Sequence, residues 1–180
     1  MNSKKIKLIL IITPLLVLFS YFFTALYSFH QFHKGIYYND KKLIKDYVEW
    51  DELRENFKNY INIQLLKETQ KSDELKNLGE FGILLSGLAS KFVETMVDSY
   101  LNPEGLSMLI EKSEKKDEIP KPTFLTLIGG FTIMDFNSLS SFYVTYENEG
   151  QELPIFFNRK GLTWKITQIE FPGDLLENLS

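Results

Sequence analysis

Few residues in this chain of 180 combine the types and spacing that chemistry needs. His30 and His33, its only histidines, lie three apart, so on a helix both could face one metal ion with a third ligand from elsewhere. Helical histidines beside an apolar segment more often serve as interfacial polar residues, and no H-E-x-x-H pattern accompanies them, so no metal is expected. The carboxylates of Asp40, Glu49, Asp51 and Glu52 crowd the sequence beside Arg54. General acid and base work needs such groups paired in a pocket, whereas helix capping and an Asp51 to Arg54 surface pair account for the same residues. If Arg54 is buried against Glu49, its task is to fix the angle between two helices. Pocket candidates are Asp135, in an otherwise apolar strand, with Tyr143, Tyr146 and Trp164, which could line a concave face. Aromatic residues in a strand are core more often than site. No P-loop, dinucleotide fingerprint, G-x-S-x-G or kinase motif occurs, and Gly129-Gly130 reads as a turn. No catalytic, cofactor-binding or metal-binding residue is expected.

The elements that must position these residues begin with a hydrophobic N-terminus. Lys4, Lys5 and Lys7 precede an uncharged run from Leu8 to Tyr27, which is 20 residues long. A helix of about 20 residues spans ~30 Å, the thickness of a bilayer's hydrocarbon core. Pro14 is tolerated in such a segment, and Tyr21, Phe22, Phe23 and Tyr27 put aromatic rings toward its far end. A cleaved signal peptide is the rival, with an apolar region of about 7 to 15 residues and a small-x-small site. Thr24, Ala25 and Ser28 are small, but no A-x-A pattern follows, so an uncleaved anchor is expected. The leading lysines favour an N-terminus in the cytoplasm and a domain outside, the periplasm in a Gram-negative cell. The alternative is secretion after cleavage.

Residues 1–27 hold three Lys and no acid, which leaves 17 Lys and Arg against 24 Asp and Glu, minus seven, for the remainder. That balance is poorly suited to phosphate backbones or anionic lipid headgroups, whose binding rests on clustered Lys and Arg, so no nucleic acid partner is expected. The absence of Cys excludes disulfides, thiolate catalysis and thiolate metal sites without fixing a redox compartment. Apolar residues at 44% and aromatics at 14% exclude a disordered chain.

Spacings near three and four predict a helix over Ser28 to Tyr47, broken at Asn39-Asp40, with Asp40 capping the next helix. A second helix, Glu49 to Gln70, repeats Trp50, Leu53, Phe57, Tyr60, Ile61 and Leu65 on one face. A third, Leu78 to Leu101, carries the stripe Leu78, Phe81, Leu85, Leu88, Phe92 and Met96. Glu80 and Lys91 confine its uncharged run to ten residues, too short for a bilayer, so a buried core helix is predicted. Asn102 and Pro103 open a short helix bearing Leu106, Leu109 and Ile110. Residues 111–122 read as an exposed connector. From Thr123 the period changes to two, which predicts strands at Thr123 to Ile128, Phe131 to Phe136, Ser140 to Glu147, Leu153 to Asn158 and Leu162 to Phe171. Short turns make neighbours antiparallel. The apolar phase slips from Ile166 to Ile169, predicting a bulge near Thr167 and Gln168.

The order Gly35, Asp40, Ile44, Val48, Glu49, Trp50, Leu53, Arg54 resembles the bacterial domain of unknown function 2939 family, whose pattern runs from a small residue to Asp and on to Val-Asp-Phe-x-x-Leu-Arg. Asp40, Val48, Leu53 and Arg54 match outright, while Gly35, Glu49 and Trp50 stand for Ala, Asp and Phe. Pro103, Glu104, Gly105 and Leu106 reproduce a further family segment. The resemblance implies a membrane-anchored protein and names no activity. Separately, the ending G-L-T-W-K-I-T-Q-I-E is similar, over one strand, to nuclear-transport-factor-like domains, where helices close over a curved sheet and pockets hold small ligands.

The predicted architecture is α+β: a transmembrane anchor (1–27), then one domain (28–180) with helices over 28–113, the connector 111–122, an antiparallel β-meander over 123–171 packed by the helices, and a tail at 172–180. The expected function is that of a non-enzymatic envelope protein binding a protein partner or an apolar ligand near the membrane, without a cofactor. A small hydrolase or isomerase, with its pocket between helices and sheet, is the alternative, and a structural spacer the third.

Overall fold

The helix that contains the uncharged N-terminal run continues into the folded domain. In the computed structural model, which describes residues 3–71, 80–112, 119–130, 133–148 and 151–170, helix α1 (Ser3–Tyr38) passes through Tyr27 without a break. Its first part, from Ile9 to Phe19, is exposed on all sides, whereas Ala25, Leu26 and Ser28 are buried. The expected polar break at 72–77, most of the connector at 113–118, the Glu149-Gly150 turn and the tail at 172–180 lie outside the described residues.

α1 stops because Asn39 adopts a left-handed φ of 53°, and the Asp40 N–H reaches back to the Gly35 carbonyl at 2.8 Å. Asp40 then caps helix α2 (Lys41–Asp46), its carboxylate accepting the Lys42 and Leu43 N–H groups, as its position before the helix predicted. Helix α3 (Trp50–Lys71) follows, then α4 (Glu80–Tyr100), α5 (Pro103–Lys112) and α6 (Phe124–Gly129). Asn102 caps α5 by accepting the Gly105 N–H at 2.8 Å. At Gly105 an added Cβ would stand 2.1 Å from the Tyr100 carbonyl oxygen, so only glycine permits the tight α4–α5 corner.

Strands β1 (Met134–Ser138), β2 (Ser141–Asn148), β3 (Gln151–Lys160) and β4 (Thr163–Ile169) form one antiparallel meander in the order β1-β2-β3-β4. The first expected strand, Thr123 to Ile128, is instead α6. Thr123 and Thr126 exchange side-chain and backbone hydrogen bonds in a capping box, which closes a helical turn that alternating apolar residues do not forbid. The expected bulge is present: Phe156 pairs with Gln168 and Phe157 with Ile166, so Thr167 is the extra residue on β4. Its carbonyl, turned out of the ladder, accepts from the Asn56 amide on α3 at 2.9 Å.

The inner face of the sheet packs on α1. Phe142 and Phe157 stack with centroids 4.7 Å apart, Phe29 and Phe32 meet Phe157 edge-on, Phe22 meets Phe136 at 5.1 Å and Tyr21 meets Trp164 at 5.5 Å. Thr24 accepts the Trp164 indole N–H and Ser28 accepts its backbone N–H, each at 3.1 Å, so the ring is buried with its polar atom satisfied. Burial of each such large side chain stabilises the fold by about 1.5–3 kcal/mol. Where the nuclear-transport-factor likeness implies a ligand pocket, these rings and α1 fill the space.

The third predicted helix differs from expectation in its facing. Val97 is its buried apolar residue among those whose side chains are described, and Leu88, Phe92, Met96 and Tyr100 point outward. Among the described side chains α4 meets α3 through polar groups, the Ser90 hydroxyl bonding Asn62 at 2.6 Å and Asp98 pairing with Lys58 at 2.7 Å. A periodic apolar stripe records one face of a helix without recording which side the neighbour takes.

Candidate functional site

Residues 35–54, which carry the family resemblance, form the junction between α1, α3 and the sheet. Beyond the α2 turn, Val48 bridges Ile166 in parallel, the Tyr47 carbonyl accepting from Ile166 at 3.0 Å and the Glu49 N–H donating back at 2.8 Å. The segment thus extends the sheet beside β4. Val48 and Leu53 are buried, Trp50 packs against the same core, and the Glu49 carboxylate pairs with Lys165 on β4 at 3.1 Å. Glu49 is therefore held by a strand cation. Its backbone carbonyl still accepts from Leu53 as α3 begins.

Arg54 does not meet Glu49. It binds the Asp51 carboxylate, donates to the Leu101 carbonyl at 3.2 Å and lies 3.8 Å from Asp98, so it ties the start of α3 to the end of α4. Lys58 completes the contact at 2.7 Å from Asp98. These groups, with Glu55, Asn59, Asn62 and Glu94, line a groove of about 460 Å³. Both of its cations are engaged by carboxylates or a carbonyl, which is the pattern of a polar helix-helix contact.

The four pocket candidates do not converge. Asp135 is paired with Tyr143 across β1 and β2, and both lie on the outer face of the sheet, Asp135 exposed and the Tyr143 ring 5.3 Å from that of Phe156. Tyr146 and Trp164 belong to the inner side, Tyr146 exposed near the sheet's far end and Trp164 buried under α1. Tyr143 and Tyr146 are three apart on one strand, and period two alone separates them. His33 stacks on Phe29 at 6.4 Å, and among the described residues no group of three His, Asp or Glu is arranged to hold a metal.

Two surfaces were not anticipated. The stripe Leu88, Phe92, Met96 and Tyr100 repeats every four residues along the outside of α4, with Phe92 66% exposed. A cleft of about 800 Å³ opens between α1, α2 and β4, lined by Tyr27, Lys34, Lys42, Lys45, Tyr47 and Lys165 together with Asp40 and Asp46. Burial, with the nearby Tyr27 and Asp46 adding to it, pushes the Tyr47 hydroxyl above the usual tyrosine range. The four-residue spacing of the first was legible in the sequence; the lysines of the second come from three separate elements and carried no local signal.

Among curated proteins and solved structures, nothing matches this chain. A family model described as a protein of unknown function (DUF2939) matches residues 15–109, from the exposed part of α1 into α5, and ends before the sheet. The match spans more than half of the chain and contains the whole junction, so the protein belongs to that family.

Proposed function

We propose that the protein is a single-pass, membrane-anchored, non-enzymatic interaction module that presents the outer face of α4 to a protein partner close to the bilayer. One observation carries the interaction half: Leu88, Phe92, Met96 and Tyr100 form a continuous exposed apolar stripe on a helix whose other side is occupied by α3. Helical apolar faces of this kind are what partner proteins cover. Retention of the anchor draws support from the core. Cleavage after Ala25 would strip Tyr21, Phe22, Thr24 and Ala25 from the inner face of the sheet and uncover Trp164 and Phe136. The lysines before the apolar run favour a cytoplasmic N-terminus, with the helices and sheet on the far side, the periplasm in a Gram-negative cell.

The test places a photo-crosslinking residue at Phe92 and, as a control, at Glu152, which is exposed on β3. In native membranes Phe92 is expected to yield a discrete adduct and Glu152 none, with the mature chain retaining the mass of the uncleaved sequence. An adduct with the same chain would replace a foreign partner by self-association. Equal labelling from both positions would remove the interaction reading, and a mature chain lacking residues 1–25 would remove the anchor.

A further inference from the structure

The freely exposed part of α1 is too short to cross a bilayer by itself. Between Lys7 and Tyr21, where the sheet begins to cover the helix, fourteen residues rise about 21 Å, against a hydrocarbon core of about 30 Å. An uncharged run long enough to span continues to Tyr27. Over Tyr21 to Tyr27 the sheet and the bilayer therefore occupy the same stretch of helix, and whatever part of the sheet lies there must meet lipid.

That part is the end carrying two hairpin turns. Ser138 pairs with Ser141 and Lys160 with Thr163, so β1–β2 and β3–β4 are each joined by two residues, Leu139-Ser140 and Gly161-Leu162. Gly161 supplies a positive φ of 67°, which favours the β3–β4 turn. The Arg159 N–H donates to the Ser140 carbonyl at 2.8 Å, which sets the two turns side by side. Their level on α1 follows from the contacts just inside them: Arg159 lies over the Tyr21 ring at 4.8 Å, and Phe136 meets Phe22. Farther along the sheet, Phe157 meets Phe29 and Phe32, so the strands run away from these turns as α1 runs away from its N-terminus. Each turn exposes one leucine, Leu139 at 81% and Leu162 at 80%. Because the turns lie side by side, the two leucines make one apolar tip at the end of the sheet nearest the exposed part of α1. Behind them, in the direction of the domain, comes the lysine cleft around Tyr27 and Tyr47, at the level where phosphate headgroups would lie.

We propose that the two turns dip into the interfacial layer of the bilayer that α1 crosses, Leu139 and Leu162 entering its apolar edge while Lys34, Lys42 and Lys45 face anionic headgroups. The anchor and the sheet then form one membrane-bound body, held at two further points besides the helix, so that the rest of the domain is fixed in height and tilt. The proposal rests on α1 being retained in the bilayer, and its test separates the two.

The chain has no cysteine, so single Cys variants carry an environment-sensitive fluorophore at one position each. The full-length protein with Leu16→Cys, Leu139→Cys, Leu162→Cys or Leu109→Cys is reconstituted in vesicles of phosphatidylethanolamine and phosphatidylglycerol. Leu109 is also an exposed leucine, at 56%, but lies on α5, whose Glu111 bonds Asn39 at the opposite end of α1. Probes at 139 and 162 are expected to shift to the blue, to be quenched by lipids spin-labelled near the headgroup and to be shielded from aqueous iodide, whereas 109 is quenched by iodide. Lipid quenching at 16 with iodide quenching at 139 and 162 would leave the anchor standing and overturn the proposal. Shielding from iodide without lipid quenching at 139 and 162 would overturn it in favour of a protein cover, and iodide quenching at 16 as well would overturn both it and the anchor.

Discussion

The contact between α1 and the sheet and the contact between α3 and α4 join neighbouring elements by opposite means. The first is dry: Phe142, Phe157 and Trp164 are fully buried against Ala25 and Leu26, and its two side-chain hydrogen bonds satisfy the polar atoms of one tryptophan. The second is wet at its rim. Arg54, Lys58 and Asp98 span it in a groove open to solvent, Ser90 bonds Asn62, and among the described side chains of α4 Val97 is the buried apolar one. Apolar burial scales with area and tolerates little change, while partly exposed ion pairs contribute little and weaken with salt. The difference puts the aromatic core between α1 and the sheet, and leaves Leu88, Phe92, Met96 and Tyr100 on α4 exposed.

Trp164→Ala is the largest test of that difference. Loss of a ring packed on Tyr21, Phe136 and Phe142 is expected to cost about 3–5 kcal/mol in denaturant unfolding of the detergent-solubilised protein, independent of salt. Arg54→Ala comes next. It removes a charged hydrogen bond to Leu101 and the pairing with Asp51 and Asp98, so a loss of about 1.5–3 kcal/mol is expected at low ionic strength. That loss should shrink in 1 M salt, where the screening length falls to about 3 Å. A salt-independent loss equal to that of Trp164→Ala would mean that the two contacts do not differ in kind.

The same contrast marks what the sequence could convey. Asp40 as a cap, the antiparallel meander and the bulge at Thr167 were legible because capping, period two and a phase slip are local signals, written within a few residues of where they act. The facing of α4 was not legible, since Leu88, Phe92 and Met96 keep one spacing whether they meet a core or a partner. The Asp51–Arg54 pair was legible from its spacing, but the approach of Asp98 was not, since it comes close to Arg54 only because α4 folds back along α3. The helix at Phe124–Gly129 escaped notice because its six residues are too few to separate the two periods, and the deciding capping box rests on threonines that also suit strands. Of the candidate site, the signature residues were visible as a junction and period two separated Tyr143 from Tyr146, while placing Asp135 beside Tyr143 and Trp164 on the opposite face required the register.

Phe92→Ser should have the smallest effect on stability and the greatest consequence for the comparison. A phenylalanine in a core costs about 3–5 kcal/mol when truncated, because a cavity opens and apolar area is lost. At 66% exposure Phe92 has little packing to lose, so unfolding is expected to shift by no more than about 0.5 kcal/mol in either direction. Serine also removes an apolar ring from water, which acts in favour of the variant. Were Phe92→Ser to destabilise the protein as Trp164→Ala does, α4 would have to be covered within its own chain, the α3–α4 contact would be a second dry core, and the stripe could not be what a partner binds. An unchanged midpoint together with loss of the adduct formed from a crosslinker at Met96, one turn away on the same face, would instead assign the stripe to binding, since folding would have been left intact.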